Sequence, residues 1–587
     1  MKKRTLTQYS VFLVVLLLIF LPRSPSIVTN SSPHYLSHSS SSQIDYLIIT
    51  PQSFLSVVQP LATWKQQRGL ITSIITVEEI SQNYEGRDLG EAIRTCITHL
   101  YEENNLTWVL LAGGHAQVPT RFVKIADNQS SDNYVTCDHY YANLDNNWVL
   151  DELGFASILD YYDWDAEVYV GRLPAETSAQ MAELINRLLN YERSPPVGSW
   201  MKHAIFAGAF ANFNEDYNNN NQLDENEFPE FDANRYLNWL KANLLPPDWD
   251  STFFAETEGL KTTDYYYDKP LNEDRLIEEI NSGATVFMLS GHGSTEAIWR
   301  YIFSIDYDND SLFDYTGDPH FGSGVPVDKG SFINFLTRFS ETNPDEKYGF
   351  YYLSACHVGS FELNGDCLAE HILRTSGIGC IASSHTSWYE DFWYERVHAG
   401  WYDEGLAGRF FKQLWVNGIN QPGKAFVEAK LNYVHDRLTL NDTPVYYLPV
   451  WENKTLTQFN LLGDPEVPLW TSIPPQLDAK ISFNNDEVVI EAVSENQPIS
   501  TVCVTLSNST HYWRAITDST GQASFPIFGK VFKNLNLTLS KNNYLPYQEF
   551  LFPASSSASY IPTSFPELLI LFVFIVLIGT LRKRKGK

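Results

Sequence analysis

Cysteine is scarce in this chain: six residues in 587, at positions 96, 137, 356, 367, 380 and 503, with no Cys-x-x-Cys pair. That excludes a disulfide scaffold and a structural zinc site built on paired thiolates. Cations are scarce too, 41 Lys and Arg against 70 Asp and Glu, for a net charge of −29. Nucleic acid is disfavoured as a partner, because phosphate binding needs clustered Lys and Arg. No Gly-x-Ser-x-Gly elbow occurs, and no Gly-x-Gly-x-x-Gly follows a strand-like run. Serine-hydrolase and dinucleotide chemistry are set aside accordingly. Long apolar runs are confined to the two ends. Lys2, Lys3 and Arg4 precede one at 11–21, which predicts a signal peptide or N-terminal anchor over 1–27. The other, at 568–581, runs into Arg582-Lys583-Arg584-Lys585, which predicts a transmembrane or sorting tail over 565–587. The expected location is secreted or at the cell surface, membrane-anchored through the C-terminal segment. Eight Asn-x-Ser/Thr sequons are compatible with export.

Two short apolar runs each stop at a residue with catalytic potential. Ala284-Thr285-Val286-Phe287-Met288-Leu289 leads into Ser290-Gly291-His292-Gly293, and Phe350-Tyr351-Tyr352-Leu353 into Ser354-Ala355-Cys356-His357. A buried strand that stops at a histidine and another that stops at a cysteine place a base beside a thiol. Nucleophilic catalysis by cysteine needs that pair and donors for the oxyanion. The N–H of Gly293, unobstructed by a side chain, and that of Cys356 are the candidate donors. Two other histidines compete for the role of base. His357 adjoins Cys356, but neighbours on an extended segment point to opposite faces. His385 follows the apolar run 379–382 and ranks second to His292.

Strand-like and helix-like segments alternate from position 45. Strands are expected at 46–49, 70–77, 108–112, 165–172, 203–207 and 252–255, and helices at 54–68, 89–101, 178–191, 233–244, 273–281, 368–375, 406–416 and 425–433. Such alternation predicts an α/β fold with a parallel sheet covered on both faces. Pro195-Pro196 and Pro474-Pro475 punctuate it. The expected organisation is a disordered lead-in at 28–44, an N-terminal α/β subdomain at 45–195 and a catalytic α/β subdomain at 196–473. A β-sandwich at 476–552 and a Ser/Pro-rich stalk at 553–564 follow.

A loop inside the second subdomain predicts a cation. Asp216, Asn218, Asn220, Gln222, Asp224 and Glu227 fall at positions 1, 3, 5, 7, 9 and 12 of an EF-hand-like loop, with Asn221 where glycine is usual. All six donors are oxygens, which suits structural Ca2+. Asp306, Asp308, Asp310 and Asp314 form a second, looser acidic cluster.

An apolar run into His-Gly followed by one into Ala-Cys resembles the caspase/gingipain clan. Four further pieces resemble the gingipain family: Ser131-Asp132-Asn133-Tyr134, Glu167-Val168-Tyr169-Val170-Gly171-Arg172, Ser290-Gly291-His292-Gly293-Ser294 and Leu462-Gly463-Asp464-Pro465. The resemblance spans roughly 45–473. It implies a caspase-like three-layer domain in two subdomains, with 476–552 similar to the immunoglobulin-like domain that follows gingipain catalytic domains. It also implies an exported cysteine endopeptidase acting on protein or peptide substrates through an acyl-enzyme thioester, with Cys356 as nucleophile and His292 as general base. Gingipain-like folds carry structural calcium, which agrees in kind with the loop at 216–227. In gingipains an acidic residue orients the histidine just after the strand that opens the second subdomain. Here that stretch reads Gly208-Ala209-Phe210-Ala211-Asn212-Phe213-Asn214-Glu215, and Glu215 is its one acid. The family's preference for Arg or Lys uses a pocket acid and a tryptophan. Trp388 matches the tryptophan segment, and Asp232 or Glu230 the acid. The alternative reading is a catalytically weak or inactive cell-surface binding protein on the same fold.

Overall fold

The computed structural model describes residues 43–124, 134–145, 148–157, 164–214, 222–224, 229–307, 309, 311–313, 328–389, 400–439, 448–483, 487–508, 511–526 and 535–551. The expected signal, stalk and C-terminal tail lie outside them, as does the lead-in up to position 42. Among the described residues no helix is long and apolar enough to cross a membrane.

One eleven-stranded sheet organises residues 46–463. Its strands, in chain order, are β1 (Tyr46–Thr50), β2 (Thr72–Thr76), β3 (Trp108–Ala112), β4 (Tyr169–Leu173), β5 (His203–Gly208), β6 (Asp250–Ala255), β7 (Lys269–Pro270), β8 (Val286–Ser290), β9 (Gly349–Ser354), β10 (Gly377–Ser383) and β11 (Phe459–Gly463). They lie in the order β2-β1-β3-β4-β11-β10-β9-β8-β5-β6-β7. Every pairing is parallel except β10 with β11. The sheet is therefore two parallel halves of opposite direction joined at one antiparallel seam. β1, β3, β8, β9, β10 and β11 are buried along their whole length. This is why they read as continuous apolar runs rather than as alternating ones.

The helices that cover the sheet are α1 (Leu55–Gln67), α2 (Val77–Asn83), α3 (Leu89–Asn104), α4 (Ser178–Arg193), α5 (Ala233–Asn243), α6 (Glu273–Ser282), α7 (Leu368–Thr375), α8 (Tyr402–Phe411), α9 (Pro422–Thr439) and α10 (Val450–Gln458). Most starts are written locally. Asp88 and Asn272 accept hydrogen bonds from the first turns of α3 and α6, and Thr177 forms a capping box with Gln180 ahead of α4. Several boundaries differ from expectation: the strand expected at 165–172 begins at Tyr169, the helix expected at 425–433 spans Pro422–Thr439, and two further differences have a local form. The strand expected at 70–77 ends at Thr76, because Thr76 and Glu79 form a capping box that starts α2. The helix expected at 406–416 begins at Tyr402 and widens into a π-helical turn over Lys412–Val416.

Two of the sequence pieces that resemble gingipains meet beside the seam, within one parallel half. β11 pairs with β4 at Leu462 and Arg172. A Cβ on Gly171 would lie 2.4 Å from the Gly463 carbonyl oxygen, so only glycine permits that approach. Residues 476–551 build a separate unit of two four-stranded antiparallel sheets around their own apolar core, including Val488, Ile490, Val504, Leu506, Leu537 and Leu539. It rests on α1: the Thr505 hydroxyl donates to the Gln67 carbonyl, and Ser540 to that of Arg68.

Candidate active site

β8 and β9 are neighbours in register, with Ser290 opposite Ser354. His292 and Cys356 each lie two residues beyond that pair, at the carboxyl ends of adjacent parallel strands. Open α/β sheets present their sites at that edge. The Gly291 N–H donates to the Ser354 carbonyl at 3.2 Å and locks the two strand ends together. A Cβ on Gly293 would stand 2.4 Å from the Cys356 carbonyl oxygen and 2.8 Å from its nitrogen. Glycine at 293 thus lets the histidine segment lie directly on the backbone of Cys356.

The imidazole of His292 is held at Nε2, 2.6 Å from the carbonyl oxygen of Ala211. A carbonyl only accepts, so Nε2 carries the proton and Nδ1 is the nitrogen able to receive one. Ala211 lies in a short strand, Phe210–Asn212, that leaves the end of β5, next to β8. A backbone oxygen thus occupies the orienting position beside His292, while Glu215 lies outside the described residues. Tyr301 and Phe332 stack on each other 4.3 Å apart and stand edge-on to the imidazole, at 5.9 and 5.1 Å. They come from an antiparallel ribbon, Ala297–Ile305 with Lys329–Thr337, that follows His292. Burial lowers the pKa of His292, and its bond to Ala211 opposes the shift only in part.

None of the six cysteines is in a disulfide, and four are buried; Cys356 and Cys503 are the two that are partly open. The Cys356 Sγ donates to the Ser387 carbonyl at 3.6 Å and accepts from the Ser387 N–H at 3.4 Å. Burial raises its pKa, the Ser387 N–H offsets part of that, and the nearby Asp403 carboxyl raises it further. Below the thiol's raised pKa, and above the lowered one of His292, the pair rests as a neutral thiol beside a neutral imidazole.

His357 adopts φ 60° and its ring stands 4.7 Å from that of His385. His357 Nε2 lies 3.1 Å from the Thr386 hydroxyl, and His385 Nδ1 accepts from the Thr386 N–H. Trp388 follows the segment that grips the thiol and packs 5.5 Å from Trp451, with the Lys454 ammonium near both rings. Tyr389 links this segment to the other predicted wall: its ring lies 4.2 Å from Phe231 and its hydroxyl donates to Asn212. Asp232, next to Phe231, is buried and caps α5. Its Oδ1 accepts from the Asn234 N–H and side-chain amide, and its Oδ2 from the Thr263 hydroxyl. Burial raises the Asp232 pKa. Glu230 is paired with Lys261 at 3.1 Å.

Of the predicted calcium ligands, Gln222 and Asp224 are described and exposed, while Asp216, Asn218, Asn220 and Glu227 lie outside the described residues. Asp306 of the looser cluster accepts from the N–H groups of Asn309 and Ser311, and Asp308, Asp310 and Asp314 lie outside the described residues. Two features of the site escaped the sequence. The Ala211 carbonyl has no side-chain signature at all. Asp403 looks in the sequence like any acid in a first helical turn.

Comparison with known proteins bears on the family and the fold. Gingipain R2 of Porphyromonas gingivalis is 24% identical over 354 residues, covering 58% of this chain and 37% of gingipain R2. Gingipain R1 of the same organism is 23% identical over 354 residues, covering 58% of this chain and 27% of its own length. The chain thus spans well under half the length of these relatives. The crystal structure of the Arg-specific cysteine proteinase gingipain R (RGPB) shares its fold, with a TM-score of 0.59 at 18% identity over 88% of this chain and 99% of that one. The sequence model of peptidase family C25 matches residues 39–470. On that match, which takes in both halves of the sheet together with His292 and Cys356, the chain belongs to peptidase family C25.

Proposed function

We propose that this protein is an exported cysteine endopeptidase that cleaves proteins or peptides with a Cys356–His292 dyad. The observation that carries the reading is the register of β8 and β9, which sets the two residues at matched positions on adjacent strand ends. In the reaction, Nδ1 of His292 takes the thiol proton as Sγ attacks the scissile carbonyl. The Nε2–H···O bond to Ala211 fixes the tautomer that makes this possible, the task an acid performs in a triad. The N–H groups of Gly293 and Cys356 receive the oxyanion. The imidazolium then protonates the leaving amine, and water hydrolyses the thioester.

The fold reading that accompanies it is a caspase-like three-layer domain in two subdomains, carrying an immunoglobulin-like sandwich. Its support is the two-halved sheet and the two-sheet unit at 476–551. Trp388 and Asp232 are read as substrate-binding walls joined by Tyr389 and Phe231. The terminal apolar runs support export and attachment at the cell surface.

A peptidyl thiol-reactive probe, applied across a pH series, tests the mechanism. Labelling is expected at Cys356 alone. Its rate should rise with pH as His292 loses its proton, with a midpoint below the ordinary histidine value of about 6.5. Slow labelling at every pH would favour the alternative, a surface binding protein on a peptidase fold, whose support is the neutral thiol and the backbone carbonyl of Ala211 as the partner of His292 among the described residues.

Structural Ca2+ in the loop at 216–227 is part of the proposal, supported by the all-oxygen donor set and its spacing. Purified protein is expected to contain the metal, and chelation to lower the thermal midpoint by several degrees, since a ligand of the folded state stabilises it by mass action. Metal-free protein with an unchanged midpoint under chelator refutes the site.

A further inference from the structure

The segment that grips the thiol is itself held by a buried acid, and the inference from this rests on Cys356 being the reacting cysteine. Asp403 is the second residue of α8 and is 3% exposed. Its N–H donates to the Trp388 carbonyl at 3.1 Å. Its carboxylate shares the one proton of the Ser354 hydroxyl, at the last residue of β9, with that of Glu404, each at 3.4 Å. The Ser387 side chain and the Trp388 N–H also lie where they stabilise its charged form. Residue 403 therefore joins the end of the nucleophile's strand, through its carboxylate, to the segment whose backbone makes both hydrogen bonds of Cys356 Sγ, through its own N–H.

Burying a carboxyl is costly unless its contacts repay it, and the contacts found here all lie at the nucleophile. Burial pushes the Asp403 carboxyl up to about 7, opposed only in part by the polar groups of Ser387, Trp388 and Ser354 around it, and its Oδ1 has no hydrogen-bond partner among the described residues. The titratable and charged groups around it are Glu404 on its own helix, Tyr352 and Cys356 from β9 and the turn after it, and Lys454 from α10. Tyr236 of α5 reaches the same corner through the Glu404 carbonyl. The carboxyl thus changes charge near neutrality, a few bonds from a thiol that must also change charge.

We propose that Asp403 is a positioning residue for the nucleophile: it fixes Ser387 and Trp388 against the end of β9 and so sets both the orientation and the ionisation of the Cys356 thiol. When Asp403 is ionised, its charge opposes a thiolate and keeps Sγ protonated until His292 removes the proton during attack. When it is neutral, that opposition is absent.

The test is the pH dependence of Cys356 alkylation by iodoacetamide on the full chain, read by peptide mass spectrometry. Asp403→Asn preserves the shape and an acceptor for the Ser354 hydroxyl but removes the charge. Its alkylation midpoint is expected to fall by about half a pH unit or more relative to the unsubstituted protein, with an unchanged unfolding midpoint. Peptide cleavage is expected to fall further in Asp403→Ala than in Asp403→Asn, because alanine also loses the acceptor that holds Ser354 at the end of β9. Ser354→Ala removes one bond that favours the charged carboxylate. A smaller shift in the same direction is expected, and this variant decides the matter if Asp403→Asn does not fold. Coincident alkylation curves for the unsubstituted protein and the variant that folds, or a shift upward, overturn the proposal. Because alkylation needs no turnover, a failure of peptide cleavage in the unsubstituted protein would count against the proteolytic reading and leave this comparison decisive for Asp403.

Discussion

Cys356→Ala is expected to lower kcat/KM for peptide cleavage by about 10⁴-fold or more while leaving the fold intact. The fold should survive because little depends on the sulfur. Cys356 lies beyond the last residue of β9, in a turn whose backbone is clamped by Gly293. The variant forfeits two long hydrogen bonds to Ser387 and opens at most a small gap. The activity should not survive because no other group is placed to attack. His292→Ala should cost a comparable factor, since the thiol is kept protonated by burial and the rings of His357 and His385 are engaged with each other and with Thr386. The double variant should be little worse than either single one, because nucleophile and base act as a unit and their losses do not add. The measurement is steady-state cleavage of a fluorogenic peptide by exported protein, with thermal unfolding as the control on folding. Activity of the Cys356 variant within tenfold of the unsubstituted protein would place the nucleophile elsewhere.

How far the site could be read from the sequence depended on which atoms carry it. Two fully buried parallel strands leave a plain mark, an unbroken apolar run, and the polar residues at which Val286–Ser290 and Gly349–Ser354 stop were legible as a base and a thiol. Helix starts with side-chain caps were legible for the same reason: Leu368–Thr375 and Ala233–Asn243 begin where a capping residue ends the preceding segment. What failed to register was carried by backbone or by distance. The Ala211 carbonyl looks like every other carbonyl, so the orienting partner of His292 was sought among acids. Asp403 and Glu404 sit in a first helical turn, where acids commonly favour the helix dipole from the surface, and nothing local shows that α8 is buried. The reversal at the seam was hidden as well. β11 has the composition of its strand neighbours, and its direction follows from a connection that leaves and re-enters the sheet at one edge, since Ser383 at the end of β10 pairs with Phe459 at the start of β11.

The turn that follows β11 carries the second large expected effect, in stability rather than catalysis. Lys65 of α1 is fully buried, and its ammonium lies 2.8 Å from Glu192, 2.6 Å from Asp464 and 2.6 Å from Glu466. Arg68 adds bonds to Glu192 and Glu466 at 2.6 and 2.7 Å. Trp64 donates to Glu192 and Tyr46 to Asp464. The three carboxylates come from α4 and from the Asp464-Pro465-Glu466 turn after β11. They lie within 4.8 Å of one another, as metal ligands would, but the ammonium already stands among them. Burial opposes the charge on Lys65, and the three acids together outweigh it and raise its pKa. Burial likewise opposes ionisation of Glu192, and Lys65 with Arg68 holds its carboxyl below the usual range. Lys65→Met keeps the volume of the stem and removes the charge, leaving three buried acids facing one guanidinium. Removing one partner of a buried ion pair typically costs about 3–5 kcal/mol, and a loss of that size is expected here in denaturant unfolding. The loss should depend on pH in a definite direction. Without the ammonium the folded-state pKa values of the acids rise, so the variant pays most where they must be ionised. The difference from the unsubstituted protein should therefore grow from pH 5 to pH 8 and shrink as the acids take up protons. Adding Glu466→Gln to Lys65→Met should recover part of the loss at pH 8 by removing one of the uncompensated charges. A loss under about 1 kcal/mol, flat across that range, would mean that water or rearrangement satisfies the carboxylates and that the packing of α1 and α4 on the turn after β11 does not depend on Lys65.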